Sequence, residues 1–173
     1  RHTLDLIVAY GMTPGLWIEP LAVGLRSPLV NDLPPEAFMR RAGVPIVEQN
    51  RVRLDMRNPQ ARAHLDTVID RMVSYGIGYL KIDDNFSVGS GPDEDADSPG
   101  DGLLGHCRAW AAWLADLPRR HPGLVVENCA SGGHDHRLRP VGPSSHPVDI
   151  RPPGFGALPC LLYTSDAADD LLC

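Results

Sequence analysis

The chain has 173 residues, 43% of them hydrophobic, with 16 Lys and Arg against 22 Asp and Glu and a formal net charge of −6. That length suffices for one domain with its own core, and the acidic balance argues against nucleic acid or an anionic membrane as a partner. No stretch approaches the roughly 18 apolar residues of a membrane span. No basic-then-apolar leader opens the chain at Arg1. Cys107, Cys129, Cys160 and Cys173 show neither metal-type nor disulfide-framework spacing, so a reducing, cytoplasmic setting is the default expectation.

Residues 3–10, "TLDLIVAY", place Leu4, Ile7 and Val8 on one helical face, with Gly11 as the stop. "GLWIEP" (15–20) is a short apolar run between Gly and Pro and reads as a buried strand ending at Glu19. "RVRLDM" (51–56) alternates as a strand does and ends near Asp55. Asn58-Pro59 supplies an N-cap and a first-turn proline. Ala61, Leu65, Val68, Ile69, Met72 and Val73 then recur at helical spacing up to Gly76. "GYLKIDDN" (78–85) is the next strand. Residues 87–102, rich in Gly, Asp, Ser and Pro, read as a loop. Leu104, Cys107, Ala111, Leu114 and Leu117 mark a second amphipathic helix that "HPG" (121–123) ends, and "LVVEN" (124–128) is the last strand.

Strands alternating with helices imply parallel pairing with right-handed crossovers. An open doubly wound sheet and a (β/α)8 barrel compete. Polar residues gather where four successive strands end: Glu19, Asp55, Asp83 with Asn85, and Asn128 with Ser131. Catalytic groups drawn from several strand ends are the barrel's habit, and no glycine-rich phosphate loop opens either helix. The expectation is therefore a partial α/β barrel of about four parallel strands, the second to the fifth of a (β/α)8 TIM barrel.

Within "LKIDDNF" (80–86), Lys81, Asp83 and Asn85 share one strand face, and Asp84 points the other way or already belongs to the loop. A lysine beside a carboxylate favours its charged form, which suits a nucleophile. A structural Lys–Asp pair at a strand end fits the same pattern. Asp93, Asp95 and Asp97 alternate as in a calcium loop, but Ser98 and Leu104 stand where the required Gly and Glu would be, so a solvated acidic loop is expected. His134 and His136 lack a third ligand at any recognised spacing. Trp110 and Trp113 read as packing residues, and Trp17 as core or a wall of the site.

"GLWIEP", "YLKIDDN" and "CASGG" (129–133), in that order, resemble the motifs of glycoside hydrolase family 36, the α-galactosidases of clan D, over roughly residues 3–134. The resemblance implies a retaining hydrolase of terminal α-linked galactose, as in melibiose or raffinose, with Asp83 as the nucleophile that forms a galactosyl-enzyme. It makes Lys81, Asn85, Cys129, Gly132 and Glu19 substrate-binding residues, and Arg51 with less certainty of register, because Arg53 competes for the same role. It implies no metal and no organic cofactor, an α-galactoside oligosaccharide as partner, and a parent protein that is homo-oligomeric in some members. A transglycosylase of the raffinose-synthase type, an α-N-acetylgalactosaminidase, and a truncated chain with no activity of its own remain alternatives.

Two departures stand out. Leu21 replaces the second Glu of the family's Glu-Pro-Glu. After His134 the periodicity stops, and six of the chain's 17 prolines fall between 140 and 159. Residues 1–134 are therefore expected to be barrel, and 135–173 a non-homologous tail, frame-shifted or adapter-derived. Asp166, in "TSD", is not taken as the acid/base, and no acid/base is assigned.

Overall fold

The computed structural model describes residues 2–128. The expectations for Cys129, Gly132, Ser131, the two late histidines, Asp166 and the tail lie outside the described residues.

Helix α1 (His2–Ala9) forms where the apolar spacing predicted it, and strand β1 (Gly15–Ile18) follows. The next segment holds only short elements. These are β2 (Ala22–Gly24), α2 (Leu29–Asp32), a single 3-10 turn at Pro35–Ala37, β3 (Arg40–Arg41), β4 (Val44–Pro45), β5 (Val47–Glu48) and β6 (Arg51–Arg53). Then come α3 (Pro59–Ser74), β7 (Tyr79–Ile82), α4 (Pro99–Arg120) and β8 (Val125–Asn128).

Helix α3 starts because Asn58 accepts hydrogen bonds from the N–H groups of Gln60 and Ala61, and Pro59 sits where no N–H is needed. It stops at Gly76, whose φ of 87° a residue with a side chain rarely adopts. Helix α4 begins earlier than expected, at Pro99. Ser98 extends and its hydroxyl accepts from the Asp101 N–H, so a first turn forms inside the segment read as loop.

Strands β1, β7 and β8 form one parallel sheet in the order β1-β7-β8. Each parallel step has a long helix between its strands, as such a connection requires. Leu80 and Ile82 of β7, with Val126 of β8, pack with Ala61, Leu65 and Ile69 of α3 and with Trp110, Trp113, Leu114 and Leu117 of α4. Each fully buried apolar side chain of this kind stabilises the fold by roughly 1.5–3 kcal/mol. The two helices are joined by Trp113 Nε1 donating to Asp66 at 2.7 Å and by the Arg120–Asp66 ion pair. Trp110 and Trp113 stack with centroids 5.1 Å apart, so both are packing residues as expected.

The expected fourth parallel strand is a correction. Residues 51–53 form β6, which pairs antiparallel with β2 on one side and β5 on the other. The cause lies in residues 19–50. Helix α2 has four residues, and Pro28, Pro34, Pro35 and Pro45 interrupt the segment. Nothing there can cross back over the sheet, so the chain reverses instead. The alternation of "RVRLDM" is satisfied equally by this neighbour. Strand β1 is likewise less buried than expected, with Leu16 40% and Trp17 55% exposed. It is an edge strand among the described residues, bonded to β7 alone.

Candidate active site

The register of the parallel sheet sets the site. Trp17 lies opposite Lys81 and Ile18 opposite Ile82, so β1 and β7 end level. Asp83 N–H donates to the Ile18 carbonyl at 2.8 Å and carries the pairing one residue further. Leu80, Ile82 and Asp84 are buried while Lys81 and Asp83 are half-exposed, which is the alternation of one strand with a helix-covered face and an open face. Asp83 therefore presents its carboxylate on the side away from α3 and α4. Both of its oxygens accept a hydrogen bond: Oδ2 from Trp17 Nε1 at 3.2 Å and Oδ1 from the Asp84 N–H at 2.8 Å.

Lys81 stands on that same face, but its ion pair runs sideways, Nζ to Glu127 Oε1 at 3.2 Å. Glu127 is its register partner on β8, and neighbouring strands lie about 4.8 Å apart, closer than the roughly 6.6 Å between alternate residues of one strand. Tyr79 donates its hydroxyl proton to the other oxygen of Glu127.

Glu19, Arg51 and Asn85 come together at the same strand ends. Glu19 Oε2 accepts from Arg51 Nη1 at 2.9 Å, and Glu19 Oε1 accepts from the Asn85 N–H at 2.7 Å. Arg51 Nη2 reaches the Asn85 carbonyl at 3.2 Å, and its guanidinium lies over the Phe86 ring at 5.7 Å. The backbone of Asn85 is thus held at both its N–H and its carbonyl. The two candidate arginines take different posts. Arg51 reaches the open rim, whereas Arg53 is buried and ion-paired with Asp84. Asp84 does face away from Asp83, as the strand alternation predicts, but it is no bystander. It ties the loop after β7 to β6.

The loop after β7 is held further along by the two hairpins. Ser87 N–H donates to Glu48 at 2.6 Å, Arg41 donates to the carbonyls of Val88 and Gly91 at 2.5 and 2.8 Å, and Ala42 N–H meets Asp93 at 2.9 Å. Asp93 and Glu94, which also pairs with Arg40, thereby fasten the acidic loop.

Asp55 does not join the strand-end group. Its carboxylate takes a forked hold from Arg57, at 3.1 and 3.0 Å from Nε and 2.6 Å from Nη2. Burial acts to raise its pKa, but the bonds from the Arg57 side chain and N–H outweigh burial and hold the carboxyl well below the usual carboxylate range. His106 is almost fully buried, and burial pushes its pKa down. Its Nδ1 accepts the Met56 N–H at 3.0 Å, which requires the neutral ring.

A cleft of about 340 Å³ lies between β1, β2 and α3 and is lined by Glu19 but by neither Lys81 nor Asp83. Among the described residues no cluster of three or more His, Cys, Asp or Glu is placed to hold a metal, and no helix is long and apolar enough to cross a membrane.

Residues 2–139 match the melibiase family. The chain belongs to that family. Among curated melibiase relatives it is 29% identical over 120 residues to "Alpha-galactosidase C" of Emericella nidulans, covering 69% of this chain and 15% of that protein. It is also 29% identical over 122 residues to "Alpha-galactosidase 2" of Pediococcus pentosaceus, covering 69% and 17%. The fold resembles the solved GH36 α-galactosidase AgaB of Geobacillus stearothermophilus, with a TM-score of 0.63 at 22% identity over 76% of this chain and 19% of that one. It also resembles the α-galactosidase of Lactobacillus brevis, with a TM-score of 0.58 at 25% identity over 76% and 18%. The chain thus spans less than a fifth of these melibiase relatives, and the family 36 resemblance read from three motifs is borne out.

Proposed function

We propose that the full-length protein carrying this chain is a retaining glycoside hydrolase acting on terminal α-linked galactose, with the sheet β1-β7-β8 as an arc of its (β/α)8 barrel. The observation that carries this reading is Asp83: a carboxylate at a parallel strand end, on the open face, with both oxygens fixed by N–H donors. One oxygen attacks the anomeric carbon of the sugar. The bond to the leaving oxygen breaks with its electron pair, and a second carboxylic acid about 5 Å away protonates that oxygen. The resulting galactosyl ester is then hydrolysed by water that the same second group deprotonates.

That second group is not assigned among residues 2–128. Glu19 has its oxygens occupied by Arg51 and the Asn85 N–H, and Glu127 by Lys81 and Tyr79, so each serves as an acceptor within the sheet. With one carboxylate of two, the 173-residue chain alone is expected to be inactive. Lys81, Asn85 and Glu19 line the approach to Asp83 as sugar-binding groups, with Arg51 behind them. Oligosaccharides of the raffinose and stachyose type are the substrate class favoured, since related GH36 enzymes of Geobacillus stearothermophilus are solved in complex with both.

The test is hydrolysis of p-nitrophenyl α-galactoside by the full-length gene product. Activity is expected, and Asp83→Ala is expected to abolish it. A folded protein that ignores every α-galactoside would overturn the assignment.

A further inference from the structure

We propose that Trp17 is a positioning residue for Asp83, acting through its indole N–H rather than through the packing of its ring. The inference rests on the nucleophile reading of Asp83 and extends it.

The ring of Trp17 is 55% exposed, whereas Trp110 and Trp113, whose work is packing, are 3% and 6% exposed. Among the described residues, burial therefore does little to hold Trp17. An indole has one polar atom, a donor, and here it is spent on Asp83 Oδ2 at 3.2 Å. The sheet register makes this possible. Trp17 is the direct partner of Lys81, so its side chain leaves the same face and lies diagonally beside Asp83. The Asp84 N–H holds Oδ1 at 2.8 Å. Two donors on two oxygens fix the plane of the carboxylate. When one oxygen becomes part of a neutral ester, the other becomes its carbonyl, and a donor already in place keeps its hydrogen bond and holds the group's orientation through the step.

Lys81 pairs with Glu127, Glu19 with Arg51, and Asp84 is turned onto Arg53. Removing the indole donor should thus be read at Asp83 itself.

The experiment uses the full-length gene product. Trp17→Phe keeps an aromatic ring and deletes the N–H. The expected result is a fall in kcat on p-nitrophenyl α-galactoside of about 10- to 100-fold with KM within about threefold. The acid limb of the kcat/KM profile should move to higher pH, because the charged carboxylate has lost a donor. The unfolding midpoint should stay unchanged, since one aromatic ring has been replaced by another. Wild-type kcat with an unmoved acid limb would overturn the inference, as would a loss confined to KM. Asp83→Gly, assayed beside it with and without azide, separates the two claims. Lost activity restored by azide upholds Asp83 as nucleophile whatever Trp17→Phe does. Full activity in Asp83→Gly removes both readings.

Discussion

Replacing Asp84 by leucine should be among the most damaging changes available near the site, although Asp84 takes no part in the proposed chemistry. Its side chain and that of Arg53 are 7% and 4% exposed, and they form an ion pair between β6 and the loop after β7. Asp84→Leu leaves a guanidinium buried against an apolar side chain. Breaking a buried pair from one side costs about 3–5 kcal/mol. The weak bond from the Phe86 N–H, at 3.4 Å, is lost as well. Against an m-value of about 1–3 kcal/mol/M, the urea midpoint should drop by about 1 M or more. Tryptophan fluorescence is a suitable probe, because the stacked Trp110 and Trp113 belong to the same core. The double variant Arg53→Leu/Asp84→Leu removes both charges and should recover at least about half of the loss. An Asp84→Leu protein that unfolds at the wild-type midpoint, or a double variant no better than the sum of its singles, would refute the argument.

Two further outcomes follow from other residues. Gly102→Ala, normally a favourable change inside a helix, should destabilise by about 1–3 kcal/mol, because the added Cβ would stand 2.1 Å from the Pro92 carbonyl oxygen; an unchanged or raised midpoint in the same urea titration would count against it. His106 is held neutral by burial, so its folded pKa lies below its unfolded value of about 6.5. The unfolded chain then takes up a proton that the folded chain refuses. This contribution to stability is complete above pH 6.5 and is lost as pH falls through the window below it, with a slope of up to about 1.4 kcal/mol per pH unit. Urea midpoints measured from pH 7.5 to 5 should show that slope in the wild type, and His106→Gln should remove most of it.

Much of this was legible from residue patterns because the patterns had one physical solution. Asn58-Pro59 could only start a helix, and Gly76 could only end it. The spacing of Lys81 and Asp83 fixed their shared face once β7 was a strand. Other features had two solutions. The alternation in "RVRLDM" shows that one face is covered but says nothing about the direction of the neighbouring strand, and the proline-broken segment before it decided for antiparallel pairing. In α4 the apolar count favoured Cys107 and Ala111, yet the buried stripe runs through His106 and Trp110. A histidine whose Nδ1 is taken by the Met56 N–H behaves as a core residue, and that partner lies 50 positions away in the chain. The anchoring of Asp84 was hidden for the same reason, since Arg53 had no assigned direction until the antiparallel sheet was known.

The pairing of β1 with β7 also governs when the site can exist during synthesis. Trp17 and Asp83 are 66 positions apart, and the donor emerges long before its acceptor. At the usual elongation rate of about 5–20 residues per second, β1 waits roughly 3–13 s for its pairing with β7. Contacts this distant in sequence close slowly even when the whole chain is present. The nascent strand is thus a period of exposure for aggregation or chaperone capture. Codon choice between residues 18 and 79, which sets the length of that wait, would act on the yield of folded protein without altering any side chain in the site.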